Sequence, residues 1–245
     1  MTQINKKIRN EFKYILDSYQ AAAIEDYIKR LQLAVDQYSR SGSYTITSLY
    51  FDTPDLRDYY QKLAGLENRK KLRARVYANR FDDPGVSHVW LEVKVKQNMS
   101  NFKYRVPVLL KDWEAFSGGD NFFDITKIHK FYPDDLKAFS YLFLRGNYKP
   151  HAVVRYVRKA FEGDFFSNFR LTLDSQIEAC HWNYFKRRMG TELVAPGKVV
   201  MEVKFIKSMP WWFRNLLEKF HLSRQAFSKY TNSVDALHKI NPIPR

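Results

Sequence analysis

Arg73 and Arg75, inside the stretch Leu72-Arg73-Ala74-Arg75-Val76-Tyr77, set two guanidinium groups two residues apart. In a strand alternate side chains share a face, so both arginines point one way while Leu72, Ala74 and Val76 point the other. A planar guanidinium donates to phosphate oxygens in pairs, and a lysine ammonium adds a compact positive charge. The pattern recurs along the chain. Leu91–Lys96 puts Glu92, Lys94 and Lys96 together, and Phe102–Val106 puts Lys103 with Arg105. Phe169–Asp174 and Val200–Phe205 repeat it with Arg170 and with Glu202 and Lys204. Like charges facing one another across a sheet repel, and Lys and Glu are poor strand formers. One such strand is an ordinary solvated face. Five or more point to an anionic ligand lying along the sheet.

A carboxylate set among these cations has two readings. It is an ion-pair partner that fixes a neighbouring lysine, or it is a ligand for Mg²⁺ or Mn²⁺, which take one or two protein carboxylates plus substrate phosphates. Glu202 is the first candidate, because its apolar neighbours Met201 and Val203 force it onto the basic face. Glu92 and Glu11 come second. Near the C-terminus, Ser228 and Lys229 stand close to a predicted helix start, where a solvated helix face is the ordinary alternative.

Other chemistries lack their residues. There is neither a Gly-x-x-x-x-Gly-Lys loop nor a Gly-x-Gly-x-x-Gly turn. His88, His129, His151, His181, His221 and His238 have no His-Glu-x-x-His spacing and read as surface or structural histidines. Cys180 and His181 are adjacent in a predicted strand and point to opposite faces, which excludes a nucleophile pair.

Over 245 residues the net charge is +15, from 41 Lys and Arg against 26 Asp and Glu, and this predicts a polyanionic partner. Hydrophobic residues make up 45%, enough for a core, and Cys180, the only cysteine, excludes an internal disulfide. The charged N-terminus predicts no signal peptide, and no run approaches the roughly 20 apolar residues of a membrane span. The expectation is a soluble, cytoplasmic protein.

These charges need strands to carry them. Alternation predicts strands over 8–16, 43–51, 69–78, 87–97, 101–109, 151–161, 168–177 and 198–207. The first of these puts Arg9, Glu11 and Lys13 on one face. Helices are predicted over 18–31, from Thr53-Pro54 to Gly65, and over 112–116, 133–144, 210–220 and 223–240, with a loop at 118–121 and a turn at 97–100. No linker divides the chain, so 1–245 reads as one domain. About eight strands in antiparallel order, with helices inserted, point to α+β. The pattern points to a closed or nearly closed barrel, within which a charged face can be concealed.

Taken in order, Arg9-x-Glu11-x-Lys13-Tyr14, Ser48-Leu49-Tyr50-Phe51-Asp52, Leu72-Arg73-Ala74-Arg75, Glu92-Val93-Lys94, Lys103-Tyr104-Arg105, Arg155–Phe161, Glu202-Val203-Lys204 and Phe227-Ser228-Lys229-Tyr230 resemble a VTC domain. This is the polyphosphate polymerase domain of the vacuolar transporter chaperone complex, here like the stand-alone bacterial forms. The resemblance spans roughly 5–238. It implies the triphosphate tunnel fold of the CYTH superfamily, a closed eight-stranded antiparallel barrel with helices packed outside, with Lys13, Arg73, Arg75, Lys94, Lys103, Arg158, Arg170 and Lys229 on phosphate and Glu202 on metal. Where the superfamily's triphosphatases and cyclases begin Glu-x-Glu-x-Lys, this chain has Arg9, which removes one carboxylate and favours the polymerase branch.

The expected reaction passes the γ-phosphoryl group of ATP to phosphate or a growing polyphosphate, with Arg73, Arg75, Lys94 and Lys229 stabilising the developing charge. A phosphate acceptor is already an oxyanion and needs no general base. The rival readings are a triphosphatase of the same fold and a non-catalytic polyanion-binding module. Tyr77, Phe102 and Tyr104 are expected on the face opposite the charges, unlike the exposed stacking aromatics of nucleic-acid readers, so no nucleic acid is expected. Trp211-Trp212-Phe213 reads as core in preference to a membrane anchor. The family setting allows a membrane-protein partner at the inner face of a membrane.

Overall fold

The structure is a computed structural model that describes residues 10–31, 33–36, 42–97, 100–117, 124, 136–163, 169–206 and 208–240. Arg9, the 118–121 loop, the middle of the 97–100 turn and the first residues of the helix expected over 133–144 lie outside the described residues. The strands are β1 (Asn10–Asp17), β2 (Ala34–Val35), β3 (Tyr44–Asp52), β4 (Arg69–Val76), β5 (His88–Gln97), β6 (Ser100–Leu109), β7 (Lys149–Glu162), β8 (Arg170–His181), β9 (Glu192–Leu193) and β10 (Lys198–Phe205). The helices are α1 (Ser18–Arg30), α2 (Arg57–Leu63), α3 (Leu110–Phe116), α4 (Lys137–Arg145), α5 (Trp182–Lys186), α6 (Trp211–Lys219) and α7 (Lys229–Ile240).

Eight strands form one antiparallel path in the order β1-β10-β8-β7-β3-β4-β5-β6, with β2 pairing β7 and β9 pairing β8 at its margins. The path is strongly curled. In a flat sheet β1 and β5 would stand about 29 Å apart, six spacings of about 4.8 Å, yet Lys94 of β5 reaches within 3.4 Å of Glu11 of β1.

The expected closed barrel is not what forms: the sheet is open between β1 and β6. Two features account for the open seam. Residues 222–228 run past the outer edge of β1, where the Gln225 N–H donates to the Lys13 carbonyl at 2.9 Å. On the other margin, Pro107 in β6 has no N–H to give to a ladder, as is usual for edge strands.

The two faces differ sharply. On the convex side, α1 and α6 cover β1, β8 and β10 through Ile24, Ile28, Phe213 and Leu216 against Tyr14, Leu173, Met201 and Val203. Helices α3, α4 and α5 cover β4, β5 and β6 through Trp113, Phe143 and Phe185 against Leu72, Leu91 and Val106. Helix α7 departs from the expectation that helices pack outside. Its Tyr230, Val234 and Leu237 pack on Ile46, Tyr50, Val154, Tyr156 and Ile177, on the concave side of the sheet. It also begins six residues later than 3.6-residue periodicity predicts. Residues 223–228 form neither helix nor strand, and the helix starts after Ser228, whose Oγ accepts from the Thr231 N–H at 3.3 Å as an N-cap does.

Asp52, at the end of β3, ties three elements together. Its Oδ1 accepts from the Thr53 and Asp58 N–H groups at 2.7 and 3.0 Å, and its Oδ2 from the Tyr59 N–H at 3.0 Å and the Tyr230 hydroxyl at 2.5 Å. This explains why α2 starts at Arg57 and not at the Thr53-Pro54 pair: Leu56 turns through a left-handed conformation (φ 54°) and delivers the Asp58 and Tyr59 N–H groups to the carboxylate. Asp52→Asn, which replaces an acceptor with a donor facing buried N–H groups, should cost about 1–3 kcal/mol. Denaturant unfolding should show the loss as a lower midpoint at unchanged slope.

Candidate anion-binding face

The concave face is built by alternation. From β1 come Glu11 and Lys13; from β3, Ser48 and Tyr50; from β4, Lys71, Arg73 and Arg75, with Tyr77 just past its end; from β5, Trp90, Glu92 and Lys94. Strand β6 supplies Lys103 and Arg105, β7 Tyr156 and Arg158, β8 Arg170, Thr172 and Asp174, and β10 Glu202 and Lys204. Ladder registers align them across the sheet: Arg73 stands opposite Glu92 and Glu92 opposite Arg105, while Lys13 stands opposite Glu202 and Glu202 opposite Thr172. Ser228 and Lys229, where the strap turns into α7, complete the set.

Three charge centres organise the face. Glu92 is almost fully buried and takes Arg73 Nε at 2.5 Å, Lys103 Nζ at 2.8 Å and Arg105 Nε at 3.1 Å. Burial would raise its carboxyl, but Arg73, Arg75 and Lys103 overcome that and hold it well below the usual range. Asp174 has no exposure and accepts from Arg158 through two bonds of 2.6 and 2.7 Å, with Lys229 Nζ at 2.5 Å. Burial acts upward here too, and Arg158 and Lys229 win, bringing the carboxyl to about 2.

The third centre holds two carboxylates. Lys13 Nζ lies 3.6 Å from Glu11 and 3.8 Å from Glu202, Lys94 pairs with Glu11, and Lys204 pairs with Glu202. Burial again pushes Glu202 upward, but Lys204, Lys13, Lys229 and Arg158 depress it strongly. Glu11 is also lowered, against burial and the repulsion of Glu202, by Lys94, Lys204 and Lys13.

Arg75 differs from its neighbours. It is buried, with Nε donating to Ser48 Oγ at 3.0 Å and Nη2 to the Tyr156 hydroxyl at 3.3 Å. Among the described residues no carboxylate lies within ion-pair distance of it, nor of Lys71 on the same strand. The field of these groups shows in a tyrosine. Burial raises the Tyr50 phenol, yet Arg73, Arg75 and Lys229 pull it below its ordinary value.

Aromatic rings back the cations. Arg105 lies 3.7 Å from the Trp90 ring centre and 5.6 Å from that of Tyr77, Arg73 is 5.9 Å from Tyr50, and Lys229 and Arg158 are 4.6 and 5.3 Å from Tyr156. Tyr77 thus corrects one expectation. It has the same parity as Arg73 and Arg75 and joins them on the concave face, its hydroxyl accepting from Arg105 at 2.8 Å. Tyr104 does face the convex core. Trp211-Trp212-Phe213 divides, with Phe213 in the core and Trp211 72% exposed.

Lys13, Arg73, Arg75, Lys94, Lys103, Arg105, Arg158, Lys204, Ser228 and Lys229 therefore share one face with Glu11, Glu92 and Glu202. Arg170 has the same parity but sits at the end of β8, held by Asp36 at 2.5 Å and Glu162 at 3.2 Å. Sequence reasoning passed over Lys71, Tyr50, Tyr156 and Asp174. Lys71 and Asp174 carried the signal, since each alternates in step with a named arginine, Arg73 or Arg170. Tyr50 and Tyr156 read as ordinary strand aromatics.

No group of three or more metal-ligating side chains forms among the described residues. Glu11 and Glu202, on neighbouring strands and flanking one lysine, suit a divalent ion that takes two carboxylates and completes its shell with phosphate oxygens. Glu92 suits it poorly, because three cations already occupy it.

A family model described as the VTC domain matches residues 8–238. Solved structures of similar fold include a candidate adenylate cyclase from Bacillus halodurans, 14% identical, covering 92% of this chain and 96% of that one with a TM-score of 0.53. Another is a candidate adenylyl cyclase from Hippeastrum with a dominant triphosphatase activity, 14% identical, covering 93% and 95% with a TM-score of 0.52. At this identity the likeness concerns the fold alone. No curated protein matches the chain in sequence.

Proposed function

The chain belongs to the VTC domain family, and we propose that it binds a triphosphate or polyphosphate along its concave face and transfers the γ-phosphoryl group of ATP to phosphate or to the chain end. The observation that carries the reading is Arg75. A buried guanidinium without a carboxylate costs several kcal/mol unless something repays its desolvation, and a phosphate oxygen matches its donor fork. Lys71 and Arg73, on the same face of β4, extend the cationic track along the strand.

Transfer is favoured over hydrolysis by the state of the carboxylates. Activation of water needs a base poised near neutral pH, whereas Glu92, Asp174, Glu202 and Glu11 are all held below their ordinary range. The two lysines of this face that burial lowers, Lys71 to about 7 and Lys103 to about 8, hold their protons beside a bound anion. A phosphate oxyanion needs no such base. The bond from the γ-phosphorus to its bridging oxygen breaks, a new bond to the acceptor oxygen forms, ADP leaves, and no proton moves. Arg73, Arg75, Lys94 and Lys229 hold the phosphates in line and balance the charge that spreads over the equatorial oxygens. Mg²⁺ or Mn²⁺ on Glu202 and Glu11 would add charge neutralisation at the bridging phosphates.

No helix among the described residues is long and apolar enough to cross a membrane. The reading places the protein in the cytoplasm, with a membrane-protein partner where product is moved onward. Incubation with ATP and Mn²⁺ should yield ADP and a ladder of phosphate chains on a denaturing gel. ADP with free phosphate and no chains would overturn the polymerase reading in favour of a triphosphatase.

A further inference from the structure

We propose that Lys71 takes up a proton as a phosphate chain binds, which makes anion binding at this face proton-coupled. The inference rests on the reading that the face holds a phosphate chain, and adds to it a residue and a form of pH control.

Lys71 lies on β4 two residues before Arg73, with its side chain on the concave face. Its Nζ is 2.8 Å from Ser228 Oγ and 5.4 Å from the centre of the Tyr230 ring, both from the start of α7. The charged groups that act on it most strongly are cationic: Lys13 of β1, Lys62 of α2, Lys94 of β5 and Arg73 of its own strand. The hydroxyl of Tyr230 is turned to Asp52. Among the described residues no carboxylate pairs with Lys71. The acidic groups of the same face are engaged elsewhere: Glu11 and Glu202 by Lys13, Lys94 and Lys204, Glu92 by Arg73, Lys103 and Arg105, and Asp174 by Arg158 and Lys229.

Such surroundings disfavour an ammonium. Burial first, and then Lys13, Lys62, Lys94 and Arg73, bring Lys71 down to about 7. A phosphate chain drawn to those four cations reverses the balance, because its negative oxygens favour the charged amine. The neutral amine then gains a proton from solvent and becomes an ammonium beside the anion, with nothing else transferred. The site acquires one more positive charge only when there is an anion to meet it. Ser228 Oγ, which also accepts from Thr231 at 3.3 and 2.9 Å, places this proton at the cap of α7.

The test is calorimetric titration of metal-free protein with inorganic tripolyphosphate in two buffers of different ionisation enthalpy. At about pH 8.5 a lysine with its pKa near 7 is largely neutral, so the wild type should take up close to one proton more per anion than Lys71→Met. Its affinity should fall about tenfold per pH unit between about pH 7.5 and 9, more steeply than the variant's. Lys71→Arg, charged throughout, should restore affinity without restoring the extra proton, which a purely structural lysine would not do. It also provides the comparison if the methionine variant does not fold. Equal proton uptake by wild type and Lys71→Arg overturns this proposal and leaves the phosphate-binding reading intact. No binding of tripolyphosphate to the wild type removes both.

Discussion

Arg75→Ala is expected to weaken tripolyphosphate binding by about 30-fold or more while leaving the melting temperature unchanged or slightly higher. The two halves of that result have one cause. Truncating one member of a buried, hydrogen-bonded charge pair costs about 2–5 kcal/mol of binding, and each 1.4 kcal/mol is a factor of about ten. In the protein itself, Arg75 donates to Ser48 and Tyr156 but meets no carboxylate at ion-pair distance among the described residues, and Glu92, whose charge it also favours, keeps Arg73, Lys103 and Arg105 when Arg75 is removed. Burying a charge costs several kcal/mol of desolvation, so removing one that has no close ionic partner offsets the two hydrogen bonds lost with it. A generic basic surface predicts something else. If affinity depended only on net charge, Arg75→Ala and a change at the exposed Arg188 would have equal, small effects, and both would shift retention on heparin alike. Calorimetry with tripolyphosphate and a thermal melt on each variant decide between the two.

Much of this face was legible in the sequence because strand alternation has a period of two and tolerates no compromise. Once Arg73 and Arg75 are on a strand, their face is fixed, and Glu92, Lys94, Lys103 and Arg105 follow by the same rule. The missed Tyr77 is the same rule misapplied. What alternation cannot supply is the curvature of the sheet or the fate of its edges. Whether β1 meets β6 depends on a long-range contest that the strap around Gln225 wins through the Lys13 carbonyl. The last helix shows the same limit. Residues 223–228 have helix-compatible spacing, yet they form no helix and are held to β1 by Lys13, whose Nζ donates to the Phe227 carbonyl at 2.8 Å. A tertiary hydrogen bond overrode local propensity there. The concave position of α7 was hidden for a related reason. Tyr230 sits on an ordinary amphipathic pattern, and only the Asp52 carboxylate and the stacked Tyr50 ring, 5.1 Å from it, decide which side of the sheet receives it.

Asp174→Ala should produce the largest stability loss of any single change on this face, about 3–5 kcal/mol. The carboxylate has no exposure and holds both Arg158 and Lys229, so its removal leaves two buried cations facing one another. The pH dependence follows from the direction of its shift. Folding lowers Asp174 to about 2, below the roughly 3.9 of an unfolded aspartate. Its contribution is therefore complete above about pH 4 and fades as pH falls through about 2, so the gap between wild type and variant should narrow over that interval in acid unfolding curves. An anion-binding face predicts one further difference. With Asp174 gone, Arg158 and Lys229 have no carboxylate at ion-pair distance among the described residues and feel only the more distant Glu202, so tripolyphosphate should raise the melting temperature of Asp174→Ala by more than it raises that of the wild type. If Arg158 and Lys229 only brace the sheet and never meet a phosphate chain, the ligand will stabilise the variant no more than the wild type, and these two residues leave the site.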